Sequence, residues 1–246
     1  MPVTRRSDQI KQDRFPGVPR HSLTGVETGS KMLMVGDLIF EPGAEVPYHH
    51  HPNAEETQYL VEGELDCTLD GYRFKIGAGD AVLAAPGVPH GFVNRSPRPA
   101  RMITIFPHSA PLQEFVTPGR FKDGLPAKAV TLGKDLVPTE PYEGVKRFDI
   151  IGEQQGARST LLRLLEFSPH ATTPAHYHPE TEESMFCLEG ELTAVYGRDR
   201  HRLAAGDMLT AAPGVRHGIS NPSDGRAVLL AIHPTTEPVT VVTDAD

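Results

Sequence analysis

The chain reads as an all-β protein made of two tandem barrels or sandwiches, on three observations. One internal repeat runs through its 246 residues at a constant offset of 127, with no insertion or deletion. The 23 Gly and 23 Pro separate short β-branched and aromatic runs, with turn signals about every 8–12 residues. Neither copy shows the apolar periodicity of an amphipathic helix.

Residues 20–107 align with 147–234 at about a third identity. The matches cluster at Pro47 to Pro52, at Glu62-Gly63-Glu64-Leu65 and from Gly79-Asp80 to Asn94, each with its partner 127 residues on. The expected plan is an N-terminal arm over 1–19, a first domain over 20–118, a linker over 119–145 and a second domain over 146–246. The arm is expected to pack on the other domain or on a second subunit. Strands are predicted over Met32–Phe40 and Thr160–Phe167, then Thr57–Val61 and Ser184–Leu188, each ended by a Glu-Gly turn. Ala81–Ala85 and Met208–Ala212 follow Gly-Asp turns, and Met102–Phe106 and Val228–Ile232 close the set. The Pro- and Gly-rich junction has room for one helical turn at Leu112–Val116.

Composition excludes several classes. A formal charge of −8 and a pI near 5.8 give no basic footprint for nucleic acid or an anionic membrane. No apolar run is long enough to span a bilayer. Arg5, Arg6, Lys11 and Arg14 are interrupted by Asp8 and Asp13 with no apolar run behind them, so no signal peptide is expected. Cys67 and Cys187 do not match under the repeat, which argues against a disulfide framework and for a cytoplasmic chain.

The chemistry lies in four residues that occur twice: His49, His51, Glu56 and His90, then His176, His178, Glu183 and His217. Alternate side chains of a strand share a face. His49 and His51 therefore face one way and His50 the other, as an edge histidine. Glu56 returns after a short turn, and His90 arrives from a later strand. Three imidazoles and a carboxylate suit a borderline first-row divalent ion better than Mg²⁺ or Ca²⁺. Four protein ligands on a six-coordinate ion leave two positions for water, substrate or dioxygen.

These motifs resemble the cupin superfamily, and the chain resembles a bicupin over roughly 180 of its 246 residues. The first motif is Gly43, His49-x-His51, Glu56 and Gly63; the second is Gly79-Asp80, Pro86-Gly87-x-x-His90 and Asn94. The C-terminal copy repeats them, with His170 in place of the leading Gly. The resemblance implies two tandem jelly-roll (double-stranded β-helix) barrels, each holding a metal near one mouth, so up to two ions per chain. Fe(II) is favoured, with Mn(II), Ni(II) or Zn(II) as alternatives. It also implies a dioxygenase acting on a small enolate or phenolic substrate with O₂, as in quercetinase-like cupins. Glu56 or Glu183 would leave the metal to take the substrate proton. The alternatives are a non-redox isomerase, cyclase or decarboxylase, and a small-molecule binding protein. A homo-oligomer is compatible with exposed sheet edges.

Strand parity nominates the residues around each metal. Gln58 shares the face of Glu56, and Phe92 follows His90. Met185 and Cys187 share the face of Glu183, and Ile219 follows His217. The second pocket is therefore expected to be the more apolar, and the first, with Gln58, the catalytic one. Arg163 has inward parity and is a candidate for a substrate carboxylate, or else for a salt bridge. His233 stands where the first copy has Phe106, as a solvated histidine or an acid/base group at the mouth.

Overall fold

The computed structural model describes residues 2–243. Met1 and residues 244–246, the outer ends of the expected arm and second domain, lie outside the described residues. The described chain is nearly all strand; its helical pieces are short 3-10 turns such as Arg6–Asp8 and Val26–Thr28. The strands form two tandem jelly rolls, as two-layer sandwiches and not closed barrels.

In the first domain a seven-stranded sheet runs Val130–Thr131, Ala81–Ala84, Glu56–Glu62, Ala100–Phe106, Met34–Phe40, Val18–Thr24, Ile10–Phe15. It faces a six-stranded sheet that includes Glu45–His50, His90–Val93, Glu64–Leu69 and Tyr72–Gly77. Leu38, Phe40, Leu60 and Met102 from one layer meet Val46, Cys67 and Phe92 from the other. The second domain repeats this with a seven-stranded and a five-stranded sheet around Phe167, Met185, Leu192, Ile219 and Leu229. Burying such aliphatic and aromatic side chains stabilises by about 1.5–3 kcal/mol each.

The outward faces of the two seven-stranded sheets are also apolar, and they pack on each other. Val35, Leu83, Ile103 and Ile105 meet Ile150, Leu162, Leu230 and Ile232 in a third core. Alternation therefore puts both faces of these strands in apolar surroundings, which explains their continuous hydrophobic runs.

Each domain also reaches into the other at repeat-related positions. Val3–Thr4 pairs with Met208–Leu209 of the second domain, and Val130–Thr131 pairs with Ala81–Val82 of the first. The segment expected as an arm thus begins as a crossing strand. It then forms the hairpin Ile10–Phe15 to Val18–Thr24 on the first sheet. Within the segment expected as a linker, Thr139–Tyr142 forms the matching edge strand of the second sheet. Buried Glu55 accepts from the backbone N–H of Arg158 (2.6 Å) and Ser159 (2.9 Å). Buried Glu182 accepts from the N–H of Lys31 (2.8 Å) and Met32 (3.2 Å) and from the hydroxyl of Ser30 (2.6 Å). These clasps explain why two strands begin later than expected, at Met34 and Leu161. The preceding backbone is turned toward a carboxylate of the other domain.

Two local features follow from backbone chemistry. Gly63 ends its strand at φ +84°, where a Cβ would lie 2.9 Å from the Ala100 backbone. Gly43 takes φ +81°, and its counterpart His170 keeps a positive φ of 61°. The space beside Gly43 is open, so His170 costs only the backbone strain of that region, about 1–2 kcal/mol. The helical turn expected at Leu112–Val116 does not form. Glu114–Phe115 pairs instead with His50 and His49, because an extended segment can satisfy that strand's free edge.

Candidate metal centres

Each centre is assembled by sheet register. His49 lies opposite His90 on paired strands of the first domain, and His176 lies opposite His217 in the second. Glu56 and Glu183 open their strands on the facing sheet. The four ligand atoms of each set lie within 4.8 Å of one another, and nearly all are buried. His50, of opposite parity, instead pairs with Glu114 at 3.3 Å.

The imidazoles are oriented by backbone carbonyls. Nδ1 of His49, His51 and His90 donates to Pro47, Leu112 and Val88, and Nδ1 of His176, His178 and His217 to Pro174, Val239 and Val215. With Nδ1 protonated, each neutral ring turns its Nε2 lone pair inward. In the first centre, Nε2 of His49 and Nε2 of His51 are 3.1 Å apart. Two lone pairs at that distance repel unless a cation lies between them, so the residues fit a bound metal ion.

Glu56 Oε2 lies 2.6 Å from His90 Nε2 and 3.1 Å from His51 Nε2. Burial alone would raise the Glu56 pKa, but the His51 and His90 imidazoles beside it outweigh burial and hold the carboxyl well below the usual range. Burial and the charge of His90 push His49 down to about 4. In the second centre, Glu183 Oε2 lies 3.0 Å from His178 and 2.8 Å from His217. Glu183 is likewise held low, against burial, by His233 and the three ligand imidazoles.

The surroundings differ from expectation. The first centre opens on a cavity of 320 Å³ whose wall includes Phe15, Leu38, Phe92, Met102 and Phe106, with Arg14, Arg20 and Glu27 also on it. The second opens on only 110 Å³ and is lined by Arg147, Arg163 and His233 beside Met185 and Ile219. The second pocket is therefore not the more apolar one. Met185 and Ile219 lie on its wall, and charged groups from neighbouring strands share it. Gln58 and Cys187 do not line the cavities and lie deeper. Gln58 is fully buried with neither amide atom paired, and the Cys187 thiol faces the carbonyls of Glu189 and Gly190. Arg163 lines the second cavity and also pairs with Asp149 at 2.9 Å. His233 is buried, not solvated, with Nε2 3.7 Å from Glu183. Burial, with the charges of His178, Arg163 and His217, pushes it down to about 4 against the pull of Glu183.

Sequence reasoning missed four contributors. Arg20 and Arg147 are identical repeat partners at the first aligned position, a signal that was present. The carbonyls of Leu112 and Val239 are also repeat-related, but a carbonyl leaves no residue-type signature.

Comparisons with known proteins agree with this architecture. The cupin domain family matches twice, over residues 36–106 and 163–233. The polyketide synthase protein CurC of Streptomyces cyaneus is 29% identical over 137 residues, which is 56% of this chain and 79% of CurC. Quercetin 2,3-dioxygenase of Bacillus subtilis is 21% identical over 221 residues, covering 71% of this chain and 65% of the enzyme. The crystal structure of Lactobacillus farciminis oxalate decarboxylase superposes with a TM-score of 0.82 at 16% identity, over 98% of this chain and 88% of that one. Two complete copies of the motif, each folded as a jelly roll around three histidines and a glutamate, make this chain a member of the cupin family with bicupin architecture.

Proposed function

We propose that this bicupin is a metal-dependent dioxygenase acting on a small enolate or phenolic substrate, with chemistry at the first centre. The observation that carries the reading is a three-His, one-Glu centre opening on a cavity of 320 Å³ that has an apolar stretch of Phe15, Leu38, Phe92, Met102 and Phe106. Such a stretch shields an oxygen anion from water. A bound divalent ion, Fe(II) in this proposal, supplies Lewis acidity and a path for electrons. His49, His51 and His90 hold it, with ring orientation set by the three carbonyls. Glu56, and Glu183 in the second centre, are proposed to receive the substrate proton. Phe92 and, in the second centre, Met185 and Arg163 line the space a substrate would take. Gln58 and Cys187 sit behind the walls, where they bear on packing. Similarity to quercetin 2,3-dioxygenase supports a phenolic substrate. Among the described residues, no helix is long and apolar enough to cross a membrane. Two free buried cysteines support a cytoplasmic setting.

The test is a substrate screen on an oxygen electrode, with flavonols, catechols and enolisable ketones. Oxygen uptake matched to product, and lost in His49→Ala/His51→Ala, is the expected result. Product formed without oxygen uptake would replace this reading by a non-redox isomerase, cyclase or decarboxylase. Firm metal binding with no turnover of any substrate would replace it by a binding protein.

A further inference from the structure

Arg20 and Arg147 occupy the same repeat position, yet their surroundings differ. Arg20 lines the first metal cavity. Its Nη1 donates to Gln12 Oε1 at 3.0 Å, while its Nη2 is buried and has no acceptor. The guanidinium lies against Gly36, where a Cβ would stand 2.4 Å from its Nε. A glycine is therefore what lets this arginine lie along the cavity wall. A buried N–H of a charged group without an acceptor is costly.

The second domain places charged side chains at the same repeat positions, Arg163 on the cavity wall and Asp149 half-exposed beside it. Ser22 becomes Asp149 and Gly36 becomes Arg163 under the repeat. Asp149 then accepts from Arg163 Nε at 2.9 Å and from Arg147 Nη2 at 3.3 Å. Arg147 Nε is left over, and the cavity shrinks to 110 Å³. One domain thus carries an internal carboxylate on its arginine. In the other, Glu27 lines the same cavity and its charge acts on Arg20, but it accepts from the Ser22 hydroxyl and makes no hydrogen bond to the free Nη2.

We infer that the first centre binds a molecule with a carboxylate on an apolar body. The carboxylate takes the Arg20 Nη2 hydrogen bond, in the role Asp149 plays for Arg147. The body rests on Phe15, Val18, Leu38, Phe92 and Phe106, which line the same cavity. This narrows the substrate class of the proposed function and rests on that reading only in placing the ligand beside the metal.

The experiment compares phenylacetate with its neutral isostere phenylacetamide, by calorimetric binding to the metal-loaded protein. Wild type is expected to prefer the acid by roughly 10–100-fold, the range of a charge-assisted hydrogen bond. Arg20→Gln is expected to erase the preference and Arg147→Gln to keep it. Ser22→Asp/Gly36→Arg retains Arg20 but supplies the internal carboxylate, and is expected to erase it too. That double variant decides the matter if Arg20→Gln fails to fold. Equal affinity of wild type for both probes overturns the inference. So does a preference that survives Arg20→Gln, since the metal alone would then be the anion's partner. Binding is read without turnover, so an absence of oxygen uptake would sink the dioxygenase reading and leave this result standing.

Discussion

The two halves share a backbone plan and differ in what they place around the metal. Ligand positions, the three carbonyls that orient the imidazoles and the clasping glutamates all repeat. The walls do not: Phe106 stacks edge-on against His51 at 4.8 Å, whereas His233 stacks on His178 at 4.9 Å. Gly36 leaves room where Arg163 fills it. The difference teaches that holding a metal and admitting a ligand are separable demands. Coordination needs four atoms and their tautomers, which fix a few positions tightly. Recognition depends on wall residues that can change without disturbing those positions.

The largest test of this comparison removes ligands. The protein purified without added metal is expected to carry two ions per chain. His49→Ala/His51→Ala and His176→Ala/His178→Ala are each expected to lose one of them, by elemental analysis. Loss of both ions from one double variant would break the picture of two independent centres.

The clasps should behave alike. Glu55→Ala and Glu182→Ala each remove a buried carboxylate from backbone donors of the opposite domain, at a cost of about 3 kcal/mol. Denaturant titration should place the two variants within ~1 kcal/mol of each other, a gap comparable to the scatter of single hydrogen-bond values. A markedly unequal pair would mean that one domain depends on the other and not the reverse.

A subtler change makes the second centre resemble the first. His233→Phe removes an imidazole from beside Glu183 and is expected to weaken metal retention there about tenfold, as changes around metal ligands do. Chelator competition on the individual sites would show it, and Phe106→His should leave the number of ions bound unchanged. An equal loss at the first centre would contradict a local role for His233.

The smallest expected signal is chemical. The inner core of each domain holds one buried thiol. Burial pushes Cys187 up to about 12 and Cys67 higher than a free thiol. A raised pKa keeps the thiol protonated, so at pH 8 only roughly one Cys187 in ten thousand is thiolate, far fewer than for an exposed cysteine. Alkylation should therefore wait for unfolding and report on each domain separately. Fast labelling of either cysteine in the native protein would show that its core opens locally.

The amino-acid sequence by itself determined the repeat, the all-β class, the eight candidate ligands that the fold gathers into two clusters, and the shared strand faces of Met185, Ile219 and Arg163. These are legible because alternation along a strand is strict, and because imidazole and carboxylate have few other reasons to recur at one spacing. Other features were decided only by tertiary structure. Val3–Thr4 and Val130–Thr131 cross to opposite domains through backbone hydrogen bonds, which no residue type announces. Leu112 and Val239 orient histidines through carbonyls that every residue possesses. Gln58 and Cys187 have the right parity, but depth in the core, set by how two sheets meet, keeps them off the cavity walls. Arg20 matters through what is missing opposite it, a glycine and a serine where the second domain has an arginine and an aspartate, and that absence has meaning only once the strands lie side by side.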